Sequence, residues 1–186
     1  MNIGFAMCGS FCTYDQVFPV METLAKEHNI IPIFSPVTYS TDSRFGTAQE
    51  HIRRAANICG KDPLYTIAQV EPIGPKKLLD VLIIAPCTGN TLAKLAHSIA
   101  DTAVTMAAKS HLRNGRPILL AVSTNDALGG AAENIGKLLA RKHFYFVPFG
   151  QDDAQKKPTS MVADFTKLPE ALAAAMEGKQ LQPILL

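Results

Sequence analysis

Asp80-Val81-Leu82-Ile83-Ile84-Ala85-Pro86-Cys87-Thr88-Gly89-Asn90-Thr91, followed by Leu92-Ala93-Lys94-Leu95-Ala96-His97, reads as strand, loop and helix in succession. A short apolar run containing β-branched residues ends at a Pro and a Gly, and a helical period follows at once. Leu92, Leu95, Ala96, Ile99, Ala103 and Met106 recur at three- and four-residue spacing, which predicts one helix laid on a sheet. The loop between them is small and polar. Thr88, Gly89, Asn90 and Thr91 offer side-chain donors, close backbone approach and the free amides of a helix N-terminus, which together suit a polar ligand.

Upstream, Asn2 to Met7 reads as a buried strand that breaks at Gly9-Ser10. Val17, Val20, Met21 and Leu24 then mark a helix, with Pro19 expected in its first turn and Asp15 or Gln16 as the cap. Ile30 to Phe34 is a second strand, placed toward an edge by Pro32. Ser35 to Gly46 reads as a long hydroxyl-rich loop. Thr47 and Glu50 stand in capping-box relation before a stripe of Ile52, Ala55, Ala56 and Cys59, closed by Gly60. A short strand is expected over Tyr65 to Val70, within a Pro- and Gly-containing connection.

Downstream, Ile118 to Val122 is a further strand, followed by Ser123-Thr124-Asn125-Asp126. A helix with Ile135, Leu138, Leu139 and the stem of Lys142 inward comes next, then a strand over Tyr145 to Val147, a polar loop from Pro148 to Pro158, and a closing helix from Asp164 to Met176. Strands alternating with helical crossovers predict an α/β fold, a doubly wound parallel sheet sandwiched between helices. Ligands in such sheets bind at the carboxyl ends of the strands. Four polar loops, Gly9 to Thr13, Ser35 to Gly46, Thr88 to Thr91 and Ser123 to Asp126, are therefore expected to form one site.

The 186 residues, 47% hydrophobic and 18% charged, suffice for one domain, expected over residues 1–178 with a tail at 179–186. A net charge of +2 without a basic stripe gives no case for nucleic acid. No apolar run is long enough to cross a membrane, and no cleavable leader precedes the first strand, so a cytoplasmic protein is expected. Cys8, Cys12, Cys59 and Cys87 form no C-x-x-C pair and read as reduced thiols, with no metal site expected. Neither a G-x-G-x-x-G fingerprint nor a Walker phosphate loop is present. A hydroxyl-lined turn at a helix start can still hold one phosphate through amides and Ser10 or Thr13, and flavin mononucleotide (FMN) carries one.

Ala85-Pro86-Cys87-Thr88-Gly89-Asn90-Thr91 resembles the Pro-x-x-x-Asn-Thr loop of the flavoprotein family that includes phosphopantothenoylcysteine decarboxylase and the prenyl-flavin synthases. Over almost its full length the chain is similar to the dipicolinate synthase B subunits of spore-forming bacteria. The matching segments are Gly9-Ser10 with Cys12-Thr13-Tyr14, Ser40-Thr41 with Arg44-Phe45-Gly46, Thr88-Gly89-Asn90, Ser123 to Gly129, Pro148 to Asp153 with Lys156-Lys157-Pro158, and Gln180 through Leu185.

The resemblance implies a flavodoxin-like domain that works in the mother cell during sporulation. With a separate A subunit carrying NAD(P), it would oxidise a dihydro- or hydroxytetrahydro-dipicolinate to dipicolinate. It implies FMN held by Gly9, Ser10, Thr13 and a hydroxyl such as Ser40 at the phosphate, with Thr88, Gly89, Asn90, Thr91, Ser123, Thr124 and Asn125 along the ribityl chain and ring. It also implies homo-oligomers built from trimers. The decarboxylases carry Pro-x-Met-Asn where this chain has Ser123-Thr124-Asn125-Asp126, and their cysteine clamp is not evident here.

No catalytic residue is singled out. His97 reads as a proton carrier or a surface residue, and Asp126 as a general base or an Asx-turn residue. Arg44 suits a carboxylate, a phosphate or solvent, while Lys156 and Lys157 suit a dicarboxylate or solvent. Three functions remain: a flavin-bearing oxidoreductase subunit, a flavin-free subunit that binds substrate or organises assembly through its apolar tail, and an independent flavin-dependent decarboxylase.

Overall fold

Runs of Ile, Leu, Val and Ala only become stable strands here because both faces of the sheet are covered. The computed structural model describes all 186 residues, Met1–Leu186. In chain order the elements are β1 (Asn2–Met7), α1 (Tyr14–Ala25), β2 (Asn29–Phe34), α2 (Pro36–Ser40), α3 (Ala48–Cys59), α4 (Ile67–Val70), β3 (Val81–Cys87), α5 (Gly89–Ala96), α6 (Ala103–Leu112), β4 (Ile118–Thr124), α7 (Ala132–Leu139), β5 (Phe144–Phe146), β6 (Phe149–Gly150), β7 (Met161–Ala163) and α8 (Leu168–Met176). Every residue of β3 is buried, as is all of β4 but Thr124. No helix is long and apolar enough to cross a membrane.

The parallel strands run β2-β1-β3-β4-β5, with Ile3 opposite both Ile30 and Val81, Leu82 opposite Ile118, and Ile118 opposite Phe144. This is the doubly wound flavodoxin-like order, whose winding reverses between β1 and β3. α1 packs with α3 and α8, whereas α5 packs with α6 and α7. The sheet is not wholly parallel. Beyond β5, the free edge of β4 at Ser123 and Thr124 pairs antiparallel with β7, and β7 with β6. β6 lies within the polar loop predicted from Pro148 to Pro158 and β7 in the stretch between that loop and the closing helix, and neither is anticipated because strands of two and three residues are too short to show a period.

Several local expectations are corrected. The helix predicted through Met106 is two helices, α5 and α6. α5 ends in a Schellman turn: Ser98, at φ 59°, follows the cap, Ile99 N–H donates to the Lys94 carbonyl and Ser98 N–H to that of Leu95. Thr102 and Thr105 then start α6 with a capping box, which leaves Ile99 exposed. The strand expected at Tyr65 to Val70 is the helical turn α4, because Thr66 and Gln69 cap each other reciprocally. Within the Ser35 to Gly46 loop, Ser35 accepts from the Thr38 N–H and starts α2. Pro19 is the sixth residue of α1, not in its first turn, and the cap position falls on Thr13. Leu139, expected inward, is exposed.

The capping box of α3 forms as read. Glu50 N–H donates to Thr47 Oγ1 at 3.2 Å and Thr47 N–H to Glu50 Oε2 at 2.7 Å. The Thr47 hydrogen bonds hold the Glu50 carboxyl below its ordinary value. Thr47→Ala leaves no cavity at this exposed site, so its expected cost is the cap alone, about 1 kcal/mol. Calorimetry should show the melting temperature lowered by about 2–4 °C.

The apolar tail finds much of its cover within the chain. Phe149 N–H donates to the Ile184 carbonyl at 3.0 Å and Leu186 N–H to that of Phe149 at 3.1 Å, so the tail lies along β6. Gln180 anchors it by accepting from Phe146 N–H and donating to the Phe146 carbonyl. Leu185 and Leu186 stay exposed.

Candidate functional site

Parallel strands that stop at one edge leave their loops side by side, and the side chains of these loops then lock together. Ser10 Oγ lies 2.7 Å from Ser123 Oγ, joining the loop after β1 to the end of β4. Tyr14 Oη lies 3.0 Å from the Cys8 carbonyl and 2.9 Å from Thr38 Oγ1, which lies 3.1 Å from the Met7 carbonyl, so the two hydroxyl protons serve two of these three contacts. Burial pushes the Tyr14 phenol up, so it stays a neutral donor that ties the β1 loop to α2. Thr88 caps α5, and Thr91 Oγ1 donates to Cys8 Sγ at 3.2 Å. Burial pushes the Cys8 thiol up to about 11, so it is a neutral wall of the site.

Two cavities open between these loops and border each other at Gly9 and Thr88, and together they make up the groove. The inner cavity, about 370 Å³, is bordered by Ser35, Val37, Asn90, Thr91, Lys94 and Thr102. It carries no carboxylate, and its one cation, Lys94, is held at 2.8 Å by both oxygens of Asp101. The outer cavity, about 610 Å³, lies between Ser10, Ser123, Thr124 and Asn125 on one side and the β6–β7 hairpin on the other. Arg44, Asp152 and Lys157 supply its charges. A third cavity, about 410 Å³ and mainly apolar, lies between α5, α6 and the start of β5 and contains none of the four loops.

Of the residues that the sequence singles out, the groove gathers Gly9, Ser10, Thr88, Asn90, Thr91, Ser123, Thr124 and Asn125. Gly89 sits at their seam, where an added Cβ would lie 2.9 Å from Thr124 Oγ1. Thr13 and Ser40 are not among the lining residues. Thr13 is buried and donates to the Ser10 carbonyl, and Ser40 caps back onto Pro36. Asp126 accepts from Gly130 N–H at 3.0 Å and shapes a turn, His97 ends α5 on the surface, and Lys156 stays outside while Lys157 lines the groove. Ser35 and Phe45 come from the Ser35 to Gly46 loop expected at the site, though neither is singled out individually there, while Lys94 and Asp152 join it without standing out in the sequence as site residues. The dipeptide Ser35-Pro36 is the available signal for the first, since it marks a helix start.

The groove sits where β1 and β3 diverge, the position at which this sheet order holds its ligand. The Flavoprotein family model matches residues 1–163. The chain belongs to the Flavoprotein family. It is 45% identical over 185 residues, 99% of this chain and 92% of the other, to the B subunit of dipicolinate synthase from Bacillus subtilis (strain 168). The crystal structure of the dipicolinate synthase B subunit from Bacillus halodurans superposes with a TM-score of 0.91 at 43% identity, covering 100% of this chain and 95% of that one. The FMN-dependent cysteine decarboxylase SpaF shares the fold, with a TM-score of 0.70 at 22% identity over 94% of this chain and 97% of its own.

A flavoprotein groove must accept an anionic phosphate, a polyol and a flat ring. The inner cavity meets the first demand: it is free of carboxylates and borders the first turn of α5, whose amides at Gly89 and Asn90 have no partner within the helix. The second is met by the hydroxyls of Ser10, Thr88 and Ser123 and the amides of Asn90 and Asn125. Space for close approach comes from Gly9, where a Cβ would stand 2.8 Å from Val37 Cγ1, and from Gly89. The residues present fit the phosphate and polyol of FMN.

Proposed function

We propose that this chain is the flavin-holding B subunit of a two-subunit dipicolinate synthase. The observation that carries the proposal is the hydroxyl- and amide-lined groove at the β1/β3 divergence, in a chain 45% identical over 99% of its length to a dipicolinate synthase B subunit. The reaction converts a dihydro- or hydroxytetrahydro-dipicolinate to dipicolinate in the mother cell of a sporulating bacterium. The hydroxytetrahydro form first loses water; aromatising the dihydropyridine then removes a hydride equivalent and one proton, which passes to solvent, and FMN, when bound, would supply an acceptor for the hydride equivalent. The nicotinamide belongs to the A subunit.

Gly9 and Gly89 let the backbone approach the cofactor, while Ser10, Thr88, Asn90 and Ser123 donate to its oxygens. Neutral Cys8 and Thr91 close the floor. The reading includes assembly into a homo-oligomer built from trimers, as the resemblance to the B subunits implies.

Titrating FMN into the purified chain tests the flavin directly. The expected result is a shifted flavin absorbance band with micromolar affinity, about −8 kcal/mol. No binding at millimolar FMN would overturn the flavin and leave a protein that binds substrate or organises the A chain. One observation favours that second reading: the inner cavity holds no ionisable group free to carry a proton near neutral pH. Its thiol is neutral and its lysine is paired to Asp101.

A further inference from the structure

The outer half of the groove carries charge that flavin binding does not require. Arg44 stands at the tip of a tight turn whose base is closed by Ser43 N–H to the Gly46 carbonyl at 3.0 Å and Gly46 N–H to that of Ser43 at 3.2 Å. The nearest acid in sequence, Asp42, is turned away and accepts from the Ala48 N–H at the start of α3. The Arg44 guanidinium makes no ion pair or hydrogen bond, and its one partner is the ring of Phe45, 4.8 Å from its centre. Phe45 is itself 43% exposed. An unpaired Arg and an exposed aromatic ring thus share the wall of one cavity.

Across that cavity, Lys157 Nζ lies 2.9 Å from Asp152 Oδ2. Although burial works against ionisation, hydrogen bonds from Ser160 and Lys157 hold the Asp152 carboxyl below its ordinary value, so it is charged at neutral pH. Asp152 satisfies one of the three N–H groups of Lys157 and leaves two for another acceptor. The lining therefore has two cations against one carboxylate.

We propose that this outer cavity is the substrate site, with Arg44 receiving one carboxylate of a planar pyridine dicarboxylate, Lys157 the other, and Phe45 the face of the ring. A guanidinium fork matches a carboxylate in two parallel hydrogen bonds, and an aromatic face offers an offset stack to a flat ring. The assignment rests on the proposed reaction for its ligand and is independent of whether FMN is bound. It places substrate beside the inner cavity, with Gly9 and Thr88 lining both.

Equilibrium titration of the full chain with dipicolinate in metal-free buffer, with pyridine-2-carboxylate as the one-carboxylate probe, tests this. Dipicolinate should bind at least tenfold more tightly than the monocarboxylate. Arg44→Gln should weaken dipicolinate tenfold or more and erase most of that preference, and Lys157→Gln should weaken it less, while FMN affinity is unchanged in both. Both side chains are exposed, so folding should be unaffected. Equal binding of the two probes, or Arg44→Gln with undiminished dipicolinate affinity, would overturn the proposal. Loss of FMN instead of dipicolinate in Arg44→Gln would also overturn it, assigning Arg44 to the flavin phosphate. Arg44-dependent dipicolinate binding without any FMN binding would support the site and remove the flavin from the proposed function.

Discussion

Acidification from pH 7 toward pH 4 is expected to cost on the order of 3 kcal/mol of folding stability through His111 alone. The side chain is fully buried near the end of α6, and its Nε2 lies 3.0 Å from the Pro117 carbonyl, just before β4. A carbonyl only accepts, so Nε2 carries the proton of the neutral ring, and Nδ1 is left buried without a partner. Burial lowers the pKa to about 4; the Pro117 bond and Asp80 oppose this and Arg116 adds to it. The unfolded chain therefore binds a proton near pH 6.5 that the folded one refuses until about pH 4. Stability contributed by the neutral ring is complete above pH 6.5 and is lost as pH falls through that window.

His51, packed against Phe11, Tyr14 and Phe18, also has its pKa lowered by burial and adds to the same slope. The carboxylates held low by their partners act further down the scale. Urea midpoints at several pH values, in the natural chain and in His111→Gln, separate these contributions. The Gln amide keeps a donor for Pro117 and does not titrate, so the slope between pH 6.5 and 4.5 should fall by more than half. An unchanged slope would mean that His111 is not its source.

The sheet is legible in the sequence because its strands are short, apolar and punctuated, and the site because each of three strands ends in small polar residues. Ser123 to Asp126 and Thr88 to Thr91 announce themselves by composition. What escapes a reading of the sequence is set by less usual residues at caps and turns, and by pairing between distant segments. The break after α5 uses Ser98 where Gly usually marks such a turn, and is held by Lys94 reaching Asp101. α4 depends on Thr66 and Gln69, a box with Gln in place of the more readily noticed Glu. β6 and β7 exist because the end of β4 has an unpaired edge that β5 is too short to cover. That same hairpin walls the outer cavity, so the less legible part of the fold carries the proposed substrate site.

The seam between the two most legible loops is also where a single side chain should do the most damage to flavin binding. Gly89 opens α5 in ordinary helical backbone, so a larger residue is not excluded by conformation. Space decides instead: an added Cβ would lie 2.9 Å from Thr124 Oγ1 and 3.7 Å from Ala131 Cβ. Gly89→Val places two further methyl groups there. Thr124 must then move, or the branches must enter the groove beside Thr88 and Asn90.

Either response closes the approach that a flavin would need, and the expected loss of FMN affinity is at least about 100-fold, near 2.7 kcal/mol. The strain on folding should be smaller, about 1–2 kcal/mol, because Gly89 is half-exposed and Thr124 lies at the end of its strand. Gly136→Ala is the control. Its Cβ would meet nothing within 4 Å, so α7 should gain roughly 0.5–1 kcal/mol of helix propensity with FMN binding untouched. Thermal melts paired with absorbance titrations read both quantities on the same samples. A valine variant that melts normally and binds FMN as well as the natural chain would place the flavin away from this seam.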